Sequence, residues 1–219
     1  MAVQAIAAVL WDMDGTLIDS EPTWIQAQLA LVEEHHGTWT YTDGLSLVGT
    51  DMEVTARALQ DAGVRLAAGD IIGRLTQEVT ASLRSLVAWR PGAVELVRGI
   101  HAAGIPQAIV TTSPLSMTEV VAEALPDGAI SSIVAGEHVH HGKPHPEPYL
   151  TAARRLGVDP QRCVAIEDSP TGLAAAIAAG TIAIGVPHDA ILQNAGRWTR
   201  LDTLADVTVA DLLRIAGND

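Results

Sequence analysis

VQAIAAVLWDMDGTL, residues 3–17, is the stretch on which the fold turns. Val3 to Trp11 is a short apolar run rich in Val, Ile and Ala that stops abruptly at an acid. Such a run reads as a strand buried on both faces, because a half-exposed strand would alternate. Behind it stand two carboxylates at i and i+2, Asp12 and Asp14, and then Gly15. On the extended end of a strand, residues two apart point to the same side, and glycine lets the backbone turn sharply there. In α/β sheets the carboxyl ends of strands are where ligands bind. Taken alone, the same residues also read as a solvated Asp-Gly turn. A calcium loop of the EF-hand type is excluded, because Leu17 and Thr23 stand where its sixth-position Gly and twelfth-position Glu belong.

Downstream of this strand the pattern becomes helical. Ser20 and Pro22 mark a helix start, and Trp24, Leu29, Leu31 and Val32 continue it to about His35. Two more helical stretches, Met52 to Ala62 and Gly69 to Val87, follow without a strand between them. At Arg90-Pro91-Gly92 the rhythm changes. A helix to about Ala103 leads to a strand at Gln107 to Thr111, a helix at Ser116 to Leu125 and a strand near Ser131 to Ala135. A helix from Pro146, a strand at Cys163 to Ile166, a helix at Thr171 to Ala179 and a strand at Thr181 to Gly185 complete the alternation. Strands alternating with helices imply βαβ units. The expected fold class is therefore α/β, a Rossmann-like doubly wound parallel sheet core, residues 1–18 and 89–219, with an inserted α-helical domain at residues 19–88. The region from Pro187 to Asp202 carries no readable pattern.

The 219 residues hold 26 acidic and 13 basic side chains, a net charge of -13, with 48% hydrophobic residues. That composition excludes disorder, and the charge excludes nucleic acid and anionic membranes as partners, since both need a basic face. Twelve of the basic residues are Arg; Lys143 is the only Lys. Cys163 is the only cysteine, so no intrachain disulfide forms and no Cys-based metal site exists. The apolar stretch from Met1 to Leu10 lacks a basic leader and runs into Asp12 and Asp14, so it does not read as a signal peptide. A soluble, cytoplasmic protein is expected, with a monomer preferred.

Three further polar points fall at the ends of later strands. Thr111, with Thr112 and Ser113, follows the Gln107 strand and offers hydroxyl or N–H donors to an oxyanion; alone it is a helix-start signal. Lys143 lies in His141-Gly142-Lys143-Pro144-His145-Pro146-Glu147-Pro148, a point charge suited to phosphate. Glu167 and Asp168 close the Cys163 strand, and adjacent acids there suit a hard cation held by oxygen ligands; alone, they are also ordinary acids at a helix N-terminus.

In order and surroundings these four points resemble the motifs of the haloacid dehalogenase-like hydrolase superfamily. Asp12-Met13-Asp14-Gly15-Thr16-Leu17 is similar to its first motif, Thr111 to its second, Lys143 in Gly-Lys-Pro-x-Pro-x-x-Tyr to its third, and Glu167-Asp168-Ser169 to its fourth. The helical block resembles the inserted cap of one subgroup, and Asp19-Ser20-Glu21-Pro22-x-Trp24 is similar to sugar-phosphate phosphatases and their β-phosphoglucomutase relatives. The resemblance implies a Mg²⁺-dependent phosphatase acting on a small phosphorylated metabolite, a sugar or polyol phosphate by preference. Asp12 is then the nucleophile that forms an aspartyl-phosphate, and Asp14 the general acid and base. Mg²⁺ is held by Asp12, the Asp14 carbonyl and Asp168, with Glu167 in support, while Lys143, Thr111 and Thr112 bind phosphate.

Departures from relatives narrow the choice. A dehalogenase of this kind lacks the second Asp, and a phosphonatase needs a cap lysine that is absent here. The mutase branch carries a His where Trp24 stands and a basic residue where Thr50 and Asp51 follow Gly49. Hydrolysis is therefore preferred to a β-phosphoglucomutase-type transfer. A receiver-like or non-catalytic phosphate-binding regulator is the alternative from another class, disfavoured because a receiver's phospho-accepting Asp follows the third strand. His138, His140, His141 and His145 surround Lys143 on a loop, not on a helix presenting ligands one turn apart, and are expected to shape the site mouth rather than to bind metal.

Overall fold

The structure, a computed structural model, describes residues 6–48, 50–188, 190–192 and 197–217. Val3 to Ala5 of the expected first strand, and Gly49, lie outside the described residues. Strand β1 is Ala8–Trp11, with Ile6 and Ala7 as coil before it. Four helices follow: α1 (Glu21–Glu34), α2 (Tyr41–Leu45), α3 (Met52–Asp61) and α4 (Ala68–Ser85). Residues Ser20–Val87 form one compact unit; Met1–Asp19 together with Ala88–Asp219 form the other.

Within the helical unit, local chemistry starts the helices and a four-residue period buries them. Thr40 and Asp43 make a reciprocal capping box at α2, and the Asp51 carboxylate accepts the Glu53 N–H at the start of α3. On α4, Ile71, Leu75, Val79 and Leu83 recur every four residues and are buried, a single stripe facing the other helices. Helix α1 buries Ile25, Leu31 and Val32, and packs against α2 and α4.

The second unit continues with α5 (Ala93–Ala102), β2 (Gln107–Val110), α6 (Leu115–Glu123), β3 (Ser132–Val134), α7 (Glu147–Leu156), β4 (Cys163–Glu167), α8 (Pro170–Ala178), β5 (Ile182–Gly185), β6 (Thr199–Arg200) and α9 (Val209–Ala216). The sheet order is β3-β2-β1-β4-β5-β6, parallel throughout. The chain winds outward from β1 to one edge, then returns to β1's other side, which makes the carboxyl ends of β1 and β4 the switch point where ligands bind in such sheets. Helices α2 and α9 and strand β6 are additions to the sequence reading.

Side-chain alternation assigns the two faces of β1. Ala8 and Leu10 join a buried cluster with Ala108, Val110, Tyr149 and Ala165, where many small side chains let α7 and α8 lie close to the sheet. Trp11, on the opposite face, is fully buried and donates its indole N–H to Gln107 Oε1 at 2.9 Å. The Gln107 amide donates in turn to the carbonyls of Val97 (3.1 Å) and Ala129 (3.3 Å). The polar side-chain atoms of the buried Trp and Gln are therefore all paired, as burial demands.

Candidate active site

The site is assembled by register. Trp11 pairs with Ile166, and the Asp12 N–H donates to the Ile166 carbonyl at 3.0 Å. Asp12 thus emerges from β1 beside Glu167, the last residue of β4. Gly15 has φ +87°, and a Cβ there would collide with the Asp168 carboxylate. The turn after β1 needs glycine both for its backbone conformation and for the approach of Asp168.

Lys143 reaches these acids from the loop before α7. Its Nζ lies 2.6 Å from Asp12 Oδ1 and 2.6 Å from Glu167 Oε1. The three side chains are 6%, 10% and 0% exposed. Tyr149 donates its hydroxyl to Glu167 Oε1 at 2.6 Å, and Ser169 donates to Glu167 Oε2 at 3.1 Å. The Lys143 ammonium also stands 5.3 Å from the Tyr149 ring centre, within cation–π range. Glu147 closes the loop that carries Lys143: its carboxylate accepts the N–H groups of His140 (2.8 Å) and His141 (3.1 Å).

Glu167 is therefore engaged on both oxygens, whereas Asp12 is not. Asp12 Oδ2 is buried without a hydrogen-bond partner. Asp12, Glu167 and Asp168 bring carboxylate oxygens within 4.8 Å of one another. Burial pushes the Asp12 carboxyl upward, and the neighbouring Glu167 adds to the rise although Lys143 opposes it. Asp168 is raised by burial and then by Asp12 and Glu167. For Lys143 burial favours the neutral amine, but the two carboxylates outweigh it and hold the ammonium. Negative charge thus exceeds positive here, and the bare oxygen is of the hard type that Mg²⁺ or Ca²⁺ takes. The donor set fits a divalent cation.

On the other side of Asp12, Asp14 accepts the Ser113 hydroxyl at 2.6 Å and the Thr111 hydroxyl at 3.4 Å. Thr111 is buried and also accepts the Ser113 N–H at 3.0 Å. Thr112 is exposed. Tyr149 and Ser169 are contacts to which sequence reasoning assigned no role, and Ser113, named there as a donor beside Thr111, turns its hydroxyl to Asp14. Ser169 had a signal, since it caps α8 by accepting the Gly172 N–H at 3.0 Å.

Helix α8 presses its first turn on Glu167: a Cβ on Gly172 would overlap the Glu167 carboxylate. Gly172→Ala is expected to lower stability by about 1–3 kcal/mol, read as a drop in Tm, and to lower activity by shifting the carboxylate that holds Lys143. Unchanged Tm and turnover would show that Glu167 is free to move.

Residues 6–180 match the haloacid dehalogenase-like hydrolase family. The chain is 32% identical over 188 residues to hexitol phosphatase A of Escherichia coli, covering 82% of this chain and 83% of that protein. CbbY from Rhodobacter sphaeroides, solved in complex with xylulose-(1,5)bisphosphate, superposes with a TM-score of 0.83 at 32% identity, covering 94% of this chain and 99% of the other. A putative β-phosphoglucomutase from Thermotoga maritima superposes with a TM-score of 0.76 at 26% identity, over 95% and 97% of the two chains.

Proposed function

The chain belongs to the haloacid dehalogenase-like hydrolases, and from that premise we propose that it is a phosphatase releasing inorganic phosphate from a small sugar or polyol phosphate. Asp12 is the nucleophile. Its carboxylate attacks phosphorus, the ester P–O bond breaks, and Asp14 gives its proton to the departing alcohol oxygen. Water then attacks phosphorus, Asp14 takes the water's proton, and the bond to Asp12 breaks, returning the carboxylate. Asp12, Asp168 and the Asp14 carbonyl would hold Mg²⁺, with Glu167 supporting through Lys143. When bound, the cation supplies the positive charge that lets a phosphate anion approach this acidic cluster. Lys143, Thr111 and Thr112 orient the phosphate oxygens. The helical unit, expected at residues 19–88 and found as Ser20–Val87, serves in substrate choice as the cap of its subgroup.

The observation that carries this reading is the asymmetry of Asp12, with one oxygen fixed by Lys143 and the other buried and unpartnered. The substrate class draws on the hexitol phosphatase and on the ligand of the Rhodobacter structure. Mutase chemistry is the second reading, favoured by the Thermotoga neighbour. Against it stand Trp24 and the pair Thr50–Asp51, which replace the phosphate-gripping groups of the mutase branch; Gly49, the loop glycine before that pair, lies outside the described residues. Phosphate release from hexitol and ketose phosphates is expected with Mg²⁺, and chelation by EDTA is expected to abolish it, with recovery on adding Mg²⁺ back. Conversion of glucose 1-phosphate to glucose 6-phosphate without phosphate release would establish the mutase instead, and activity indifferent to EDTA would overturn the metal.

A further inference from the structure

On the outer side of the loop that carries Lys143, His141, His145 and Glu147 bring ligand atoms within 4.8 Å of one another. His141 Nδ1 is 2.9 Å from Glu147 Oε2, and His145 Nδ1 is 3.9 Å from that same oxygen. The imidazole rings are 4.7 Å apart, centre to centre. We propose that these three side chains form a second metal site, selective for Zn²⁺ and related transition ions, which braces the Lys143 loop when filled. The sequence reading assigned these histidines to shaping the site mouth rather than to metal; the fold adds a carboxylate ligand and brings His141 and His145 together without a helix.

Several observations converge on this assignment. The carboxylate is already ionised and fixed: backbone donation from His140 and the His141 ring hold Glu147 far below the usual carboxylate range, at about 2. Metal ligands must be deprotonated, and the backbone donors to Glu147 act as the outer supports that orient a ligating carboxylate. Among the described residues, His145 Nδ1 accepts only the Glu147 N–H, at 3.2 Å, a contact at the long end of the hydrogen-bond range that an ion bound at this nitrogen would replace. A metal ion would take the place of the proton shared by His141 and Glu147. The His141 and His145 side chains are 66% and 51% exposed, leaving room for water to complete the coordination.

The donor types separate this site from the acidic one. Two imidazole nitrogens and one carboxylate suit Zn²⁺, Ni²⁺ or Cu²⁺, whereas an all-oxygen set suits Mg²⁺. The net charge of -13 raises the local concentration of any cation. Gly142, Lys143 and Pro144 lie between the two histidine ligands, so an ion here closes a short ring around the lysine that bridges Asp12 and Glu167. The inference does not depend on the phosphatase reading, because its test reads metal binding rather than turnover.

The test is calorimetric titration of Zn²⁺ into the full chain at saturating Mg²⁺, with Co²⁺ titrated in parallel and followed by visible absorption. The expected result is one Zn²⁺ per chain and an intense four-coordinate Co²⁺ spectrum. At a hundredfold excess over Kd, Tm is expected to rise by about 5–10 °C. In His141→Ala/His145→Ala, affinity is expected to fall by more than the roughly 10- to 100-fold lost when only a supporting group is removed. His141→Gln/His145→Gln, which retains side-chain hydrogen bonding, is expected to lose the spectrum while keeping the metal-free Tm. Failure to bind Zn²⁺ would overturn the proposal. So would equal binding in the double variants, which would locate the ion at Asp12, Glu167 and Asp168.

Discussion

Asp12→Asn is expected to lower phosphate release by about four orders of magnitude or more, the scale on which loss of an enzymatic nucleophile is felt. Asn is nearly isosteric and keeps an oxygen for the Lys143 ammonium at the place where Asp12 Oδ1 lies 2.6 Å from Nζ. It removes an atom that attacks phosphorus and a negative charge that the site holds uneasily. The folded protein retains the Asp12 proton more tightly than the unfolded chain does, since burial and Glu167 push the carboxyl upward. Stability of the metal-free wild type must then fall as pH rises out of the ordinary carboxylate range, because the unfolded state releases its proton first. The Asn variant escapes that fall. Its metal-free Tm at pH 8 is expected to equal or exceed that of the wild type while turnover is lost. Retained turnover would remove Asp12 from the nucleophile's role, and a collapsed Tm would make the loss of activity a folding defect.

Lys143→Ala carries the largest expected loss of stability. It leaves Asp12 and Glu167, 10% and 0% exposed, without the ammonium that bridges them. Breaking a buried ion pair from one side costs about 3–5 kcal/mol, which corresponds to a Tm drop of roughly 6–20 °C for a chain of this size. The loss is greatest at high pH, where Asp12 is ionised, and shrinks toward acid pH as its raised carboxyl takes up a proton. Lys143→Ala/Glu167→Gln is expected to recover a large part of the Tm and none of the activity. Thermal melts across pH on the single and double variants test this, and a single variant as stable as wild type would mean that solvent already compensates the two acids.

The first strand and its acidic turn were legible because a buried strand shows itself as an apolar run and its end as an abrupt charge. Lys143 was legible because no other lysine competes for attention. Glu167 and Asp168 show what adjacency conceals. In sequence they are an equal pair, yet Glu167 is the last residue of β4 and Asp168 lies in the turn after it. One is locked by Lys143, Tyr149 and Ser169, while the other packs on Gly15. Strand β6 is two exposed residues, Thr199 and Arg200, whose conformation comes from pairing with β5; so short a segment has no periodicity to read. Helix α9 did carry a signal, the capping box of Thr208 and Asp211, within a tail whose preceding stretch obscured it. The His141–His145–Glu147 group was hidden because its spacing belongs to a loop, and no helical or strand period foretells which loop side chains converge.

The bridging lysine has a practical corollary for anyone wishing to label or immobilise this protein. Its single side-chain amine is 6% exposed and kept as an ammonium by two carboxylates, so acylating reagents find it neither accessible nor nucleophilic. The single thiol offers no substitute: Cys163 is fully buried and pushed up to about 11 by that burial, far from the thiolate that reacts. Whatever modification does occur at Lys143 proceeds only as fast as the ion triad opens. Amine labelling of this side chain is thereby a clock for the opening of the site.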